Sequence, residues 1–428
     1  MSKPSGRCRT AVSGGLRLAG MAAALGLWAG LPGACVAAGA AEGEEAKVTT
    51  KDVAKERLPV YAWFSVDPAQ TAVERYRELA DAGFTHSLTF FPNADAQAKA
   101  LDVAKAAGVK MIVACPELEK DPPGTVKRFM DHPALGGWFL KDEPSAADFD
   151  RLAKWLAQIE TVDKNPAHLA YINLFPNYAN AGQLGVATYQ EHVDRFVKTV
   201  PVKVISFDHY PITGGALRAG WYENLEIIAR AARSARKPFY GFALTVAHWG
   251  YQAPTLAHLR LQVYSNLAYG AQGIEYFTYW TPPKGAGADF HDAPIGLDGK
   301  RTVVYDRVKQ MNEEIRGLSG VFLGSQVLAL GHTGTLPKGT AAYKPEAPIT
   351  VLKTDGGALV SLLGREARRH LVIVNRDFTR PMALEVAWEA ATPLARVGKD
   401  GGESALPGGQ FRASVEPGDA LILTWPAK

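Results

Sequence analysis

From Leu58 onward, short apolar runs alternate with longer stretches in which apolar residues recur every three or four positions. That pattern describes strands buried on both faces, separated by amphipathic helices. Residues 59–66 read as a strand. Asp67-Pro68 then opens a helix to Ala82, and Gly83 ends it where a left-handed residue is wanted. The unit recurs with strand 84–91, helix 94–107, Gly108 as the stop and strand 109–115. A short helix at 123–130 leads to a fourth strand running up to Leu140, followed by a helix at 146–159. Strands five to eight are expected at 168–173, 202–208, 238–245 and 273–279, with helices at 184–200, 222–235, 255–268 and 303–318. Eight strands alternating with eight helices predict an α/β fold, a closed (β/α)8 TIM barrel over residues 58–320.

After Gly320 the texture changes to short alternating segments split by Gly and Pro, at 349–353, 358–363, 370–375, 383–388 and 420–425. Residues 321–428 are therefore expected to form an all-β sandwich, read as structural support first and a sugar-binding module second. The first forty residues differ again. Lys3, Arg7, Arg9 and Arg17 precede an apolar run at 18–31 and small residues up to Ala40, with no acid among them. This predicts a signal peptide cleaved after Ala38 or Ala40 and an exported protein, periplasmic or extracellular. The run is too short and too broken by glycine to span a bilayer. Residues 41–57 read as a disordered tether.

The whole chain carries 47 basic and 43 acidic residues. The four basic residues of the signal account for the excess, so the mature protein is formally neutral and neither nucleic acid nor an anionic membrane is an expected partner. Of three cysteines, Cys8 and Cys35 fall in the signal region, leaving Cys115 and no disulfide framework or cysteine metal site. Cys35 follows Leu31-Pro-Gly-Ala, a poor lipid-attachment sequence, so cleavage is preferred over anchoring.

Candidate chemistry gathers at the strand ends. Gly136 to Ser145 reads Gly-Gly-Trp-Phe-Leu-Lys-Asp-Glu-Pro-Ser, which delivers Asp142 and Glu143 at the carboxyl end of strand four, the active-site face of a barrel. The alternative is helix capping, with Pro144 in the first turn, Asp142 or Glu143 at its positive end, and Ser145 with Asp148 as caps. Strand two delivers Phe91-Pro-Asn93, strand five Asn173 to Tyr178, strand six Asp208-His209-Tyr210-Pro211, and strand seven leads to His248-Trp249. Strand eight carries Glu275 through to Trp280. Flat apolar rings beside carboxylates and amides suit a pyranose, which predicts an oligosaccharide or polysaccharide substrate.

Glycoside cleavage needs one protonated and one ionised carboxyl group. Glu143 is the expected general acid. Glu275 is the preferred second carboxylate, because a charge between Ile274 and Tyr276 must turn into the barrel; a structural hydrogen bond there is the alternative. Asp208 is the other candidate, unless it orients His209 or a sugar hydroxyl. Asp142, Asn173, His209, Tyr210, His248, Trp249 and Trp280 are expected to shape the sugar site. No cofactor or metal is expected, since no His-x-His or His-Glu-x-x-His spacing exists and Asp289, His291, Asp292 and Asp298 are irregularly spaced for calcium.

On these residues the chain resembles clan A glycoside hydrolases, and within them the family 42 β-galactosidase-like enzymes, across residues 58–320. The resemblance rests on Asp142-Glu143, on Ser206-Phe-Asp208-His-Tyr210-Pro211, on 268–280 (Ala-Tyr-Gly-Ala-Gln-Gly-Ile-Glu-Tyr-Phe-Thr-Tyr-Trp), and on Phe290-His291 before the last helix. It implies a TIM barrel that hydrolyses β-glycosidic bonds with Glu143 as acid/base. Two departures stand out. Asp142 replaces the clan's Asn, and strand seven carries no carboxylate where the clan places its nucleophile. Either Glu275 or Asp208 replaces it, or water attacks directly, or the barrel binds carbohydrate without cleaving it.

Overall fold

A computed structural model describes residues 57–284 and 287–427. The expected signal peptide, almost all of the tether, Cys8 and Cys35 lie outside the described residues. Strands β1 (Val60–Trp63), β2 (His86–Leu88), β3 (Lys110–Val113), β4 (Leu135–Asp142), β5 (Leu169–Leu174) and β6 (Ile205–Phe207) follow one another with helices between them. A small hairpin, β7 (Ile212–Thr213) and β8 (Ala216–Leu217), interrupts the next connection before β9 (Phe239–Leu244) and β10 (Gly273–Phe277) complete the set. The eight long-range partners close into a parallel barrel in the order β1-β10-β9-β6-β5-β4-β3-β2. The expected α/β barrel is borne out.

Its local logic is that of the repeated joint. Helix Ala94–Ala107 opens on the Asn93 side chain, which accepts from Ala96 N–H, and closes on Gly108 at φ +72°. Gly83 does the same after helix Val73–Asp81, at φ +86°, a conformation an L side chain resists. Outward-facing strand residues such as Val60, Met111, Ile172 and Ile274 join the helices in one large buried layer. The inward face is a second, aromatic cluster that includes Tyr61, Trp63, Tyr171, Tyr240, Phe242 and Phe277. The barrel is thus plugged by rings, and polar groups gather only above and among them.

The carboxy-terminal region is all-β, as expected, in two antiparallel sheets. One has the order β11-β13-β14-β19-β16-β17 and the other β12-β15-β18, with β11 (Gln326–His332), β12 (Ile349–Thr354), β13 (Ala358–Arg365), β14 (Arg368–Asn375), β15 (Met382–Trp388), β16 (Leu394–Val397), β17 (Glu403–Leu406), β18 (Gln410–Val415) and β19 (Ala420–Pro426). Four of these, β11, β16, β17 and β18, go beyond the five expected from the sequence. In β11 the register shifts between Val327 and Ala329, throwing Leu328 outward to 49% exposure and breaking the alternation that marks a strand. β13 is buried on both faces: Leu359 and Leu363 pack on the barrel helices, while Val360 and Leu362 face the sandwich core. No helix among the described residues is long and apolar enough to cross a membrane.

Candidate active site

β4 bends as it reaches the mouth of the barrel. Its pairing with β5 slips between Phe139 and Lys141, and this bulge sets Asp142 opposite Asn173. One residue on, the Glu143 N–H donates to the Asn173 carbonyl at 2.8 Å. Glu143 itself sits at φ +46°, left-handed for a residue with a β-carbon. The capping alternative applies only to its neighbours. Ser145 and Asp148 form a reciprocal capping box over the turn Ala146–Asp148, leaving Asp142 and Glu143 free of that duty.

Both carboxyls are half-buried, and a third, Asp208 just past β6, is buried beside them. Burial raises the pKa of Glu143 far above the carboxylate range, and the charges of Asp208 and then Asp142 push it further. Asp208 is raised by burial and by Asp142, with Asn173 and Tyr210 partly offsetting both. Asp142 rises least, because Asn173 donates to its Oδ1 at 3.1 Å and Lys141 lies near. Three carboxyls that cannot all be ionised therefore share one pocket, and Glu143 is the one best suited to keep a proton.

His209, next to Asp208, is buried and held neutral, its pKa lowered to about 3 by burial and by the Arg218 charge. Neither ring nitrogen has a partner within the protein, nor does Asp208 Oδ1. Buried polar atoms left open at the end of a barrel strand are groups for a substrate to satisfy.

Glu275 turns inward, as expected. It has no accessible surface and lies deeper in the barrel, with Ser206 Oγ 2.6 Å from its Oε2. The same Ser206 oxygen is 2.9 Å from Asn173 Oδ1 and 3.1 Å from the Tyr171 hydroxyl, which in turn accepts from Trp63 Nε1 at 3.0 Å. One serine proton cannot serve both Asn173 and Glu275. Burial raises Glu275 to about 8, so a protonated Glu275 donates to Ser206, Ser206 donates to Asn173, and Asn173 donates to Asp142. Ser206 and Asn173 thus link Glu275 to Asp142. Glu275 Oε1, like Asp208 Oδ1, has no partner within the protein, and Asp142 lies near enough to raise the Glu275 pKa further.

Tyr210 lies within reach of all three carboxyls and stacks on Phe277 with centroids 5.7 Å apart. His248 continues this wall against Phe290 and Tyr251, at 4.8 and 4.7 Å. Trp249 stands at the rim, 53% exposed, its N–H donating to Asp289 at 2.7 Å. Trp280 corrects the expectation: it lies past the end of β10 in the outer layer, under the Arg75 guanidinium, and does not reach the pocket. Two contributors, Phe90 and Arg218, escaped the sequence reading of the site, whereas Tyr178 closes the strand-five run named there. Phe90 and Tyr178 are exposed at the mouth, Phe90 packing edge-on to Phe139 and Tyr178 to His209, both at 5.0 Å. Arg218 follows the β7–β8 hairpin, whose Gly214-Gly215 turn was the one available signal. Among the described residues, no group of three or more His, Cys, Asp or Glu side chains is placed to hold a metal ion.

No family model matches the sequence, and no curated protein does. Solved structures do match in fold. The β-galactosidase of Bacillus circulans sp. alkalophilus superposes with a TM-score of 0.59 at 10% identity, over 86% of this chain and 99% of that one. A catalytic mutant of a GH42 β-galactosidase from G. stearothermophilus gives 0.57 at 10% identity, over 87% and 99%. The α-amylase of Geobacillus thermoleovorans, complexed with acarbose, gives 0.51 at 10% identity, over 86% and 98%. The β-galactosidase of the psychrophilic Marinomonas ef1 is matched over 62% of this chain and 60% of that one, with a TM-score of 0.45. The barrel with its all-β companion resembles GH42 β-galactosidases in fold.

Proposed function

We propose that the protein is an exported glycoside hydrolase that cleaves a β-linked sugar, with Glu143 as general acid and Asp208 as the second carboxyl group. The carrying observation is the coupling of Asp142, Glu143 and Asp208 in one pocket at the strands' carboxyl ends, with Glu143 the most strongly raised. A protonated Glu143 meets the need for an acid at neutral pH, and Asp208, with an unbonded Oδ1, is placed to act as nucleophile or as base toward water. Asp142, steadied by Asn173, and the open nitrogens of His209 are suited to sugar hydroxyls. Tyr210, His248, Trp249, Phe90 and Tyr178 offer apolar faces for the rings.

One observation favours a second reading. β9, the barrel's seventh strand, contains only Phe239-Tyr-Gly-Phe-Ala-Leu244, so the carboxylate that clan A enzymes carry at its end is missing. A carbohydrate-binding protein on a catalytically silent barrel would look the same there. Turnover of a panel of aryl glycosides decides between them. A hydrolase shows turnover that Glu143→Gln and Asp208→Asn each reduce by about two to four orders of magnitude; a binder shows none, while still retaining sugar.

A further inference from the structure

The connection after β6 carries a cation that the protein itself does not neutralise. Arg218 follows β8, its N–H donating to the Pro211 carbonyl at 2.7 Å, and the hairpin is tied to the loop after β9 by Gly214 N–H donating to the Gly250 carbonyl at 2.9 Å. The guanidinium bridges the same two loops. Its Nε donates to the Tyr210 carbonyl at 3.2 Å and its Nη2 to the Tyr251 hydroxyl at 2.8 Å. It lies over the Tyr178 ring at 4.6 Å and the Tyr251 ring at 5.7 Å. Tyr178 packs on His209, so the charge stands at the edge of the pocket that holds Asp208, His209 and Tyr210.

Two of five guanidinium N–H groups are engaged, and both partners are neutral oxygens. Among the described residues no carboxylate lies within ion-pair distance of it. Nor does it bond to Asp142, Glu143 or Asp208: the partners of its side chain are the Tyr210 carbonyl and the Tyr251 hydroxyl. A clip between two loops needs no charge, since a neutral donor would serve. A half-buried, aromatic-flanked guanidinium with an open edge is instead the arrangement that receives a planar carboxylate or a sulfate by paired hydrogen bonds.

We propose that the substrate is an acidic sugar, and that Arg218 binds its carboxylate or sulfate group. This rests on the carbohydrate reading above and narrows its substrate class to uronic acids or sulfated hexoses.

Calorimetric titration of the intact protein tests it, using oligosaccharides of a hexuronic acid, their sulfated hexose counterparts and the matching neutral oligosaccharides. At least one anionic probe is expected to bind at least about tenfold more tightly than its neutral match, the scale of one charge-assisted contact. The winning arm tells uronate from sulfate. Arg218→Met should abolish that preference and Arg218→Lys keep part of it. The preference in the unsubstituted protein should also shrink as salt rises from low to about 0.5 M, a readout that does not depend on a variant folding. Equal binding of neutral and anionic probes, or a preference untouched by both salt and Arg218→Met, overturns the proposal and leaves the carbohydrate reading standing. Absence of binding to every sugar overturns both.

Discussion

The backbone N–H of Glu143 donates to the carbonyl of Asn173 at 2.8 Å, and the same Asn173 donates its side-chain N–H to Asp142 at 3.1 Å. One residue of β5 therefore holds both neighbouring acids, and it does so with Glu143 at φ +46°. A left-handed conformation at a residue with a β-carbon costs about 1 to 2 kcal/mol. Replacing Glu143 by Gly removes that cost together with a half-buried carboxyl that is partly stripped of water. Urea denaturation of Glu143→Gly is expected to show a gain in stability of about 1 kcal/mol or more, alongside lost turnover. Glu143→Gln keeps the strain and removes only the titratable proton, so it should gain less. A Glu143→Gly protein less stable than the parent would show that the geometry is not strained.

Stability should depend on pH with a definite sign. Glu143 and Asp208 bind protons more tightly in the folded protein than in the unfolded chain, where carboxyls titrate near pH 4. Glu275, raised to about 8, behaves likewise. On these three groups the folded state holds more protons between about pH 4 and the raised values, so their contribution to stability falls as pH rises. The opposite sign applies to Asp377, lowered to about 2 by hydrogen bonds from Thr379 and Arg380: its contribution is complete above about pH 4 and is lost as pH falls toward 2. Buried histidines act the opposite way to the raised carboxyls below about pH 6.5: His86, His209 and His332, lowered to about 3, and His370, lowered to about 4, favour the folded state more as pH rises to that point. The melting temperature is therefore expected to peak near neutral pH and decline toward pH 8 and above. The decline should be shallower in Glu143→Gln, and an unchanged slope would contradict the raised pKa.

The barrel was legible because most of its strands are apolar on both faces and each of the first two helices ends on a glycine that the backbone requires at positive φ. The sandwich was less so. β18, Gln-Phe-Arg-Ala-Ser-Val, exposes every other residue to solvent, and β11 hides its alternation behind a bulge. At the site, alternation correctly turns Glu275 inward but says nothing of its height in the barrel, which the register Tyr61↔Glu275 and the Ser206 contact set. Trp280 falls beyond β10, where strand alternation no longer governs direction. The meeting of Glu143 with Asp208 crosses β5, and it is the side-by-side order of β4, β5 and β6 in the sheet that brings those strand ends together.

The role assigned to Glu275 has a direct test. A protonated carboxyl that donates to Ser206 can be replaced by an amide that donates the same bond, so Glu275→Gln should keep turnover within about tenfold and stability within about 1 kcal/mol. Ser206→Ala removes the partner of Asn173 and Glu275 together and should cost about 1 to 3 kcal/mol, as expected when buried polar atoms lose their bonds. Activity abolished in Glu275→Gln with stability intact would restore Glu275 as a catalytic carboxylate.

Glu314 provides the largest stability effect expected outside the pocket. It lies on helix Val303–Gly317, is 6% exposed, and accepts from Arg260 Nε at 3.1 Å and from the Tyr264 hydroxyl at 2.6 Å, both on helix Leu256–Ala268. Arg260 also faces Asp419 at 3.4 Å, and Lys399 bonds Asp419, the Tyr264 hydroxyl and the Ala420 carbonyl, so the cluster joins the barrel to the sandwich. Two cations and two carboxylates balance there. Removing Glu314 leaves two half-buried cations to share Asp419, which costs up to about 3 kcal/mol, whereas an exposed pair is worth about 0 to 1. Glu314→Gln should therefore lower the melting temperature by many degrees, and Glu119→Gln, which breaks the exposed pair with Arg151, should leave it nearly unchanged. Because Lys399 and Asp419 belong to the sandwich, the loss in Glu314→Gln should also loosen the two domains from each other. Limited proteolysis would then cut between barrel and sandwich in the variant while sparing the parent, and equal resistance of the two proteins would show that apolar packing of Leu359 and Leu363 alone holds the domains together.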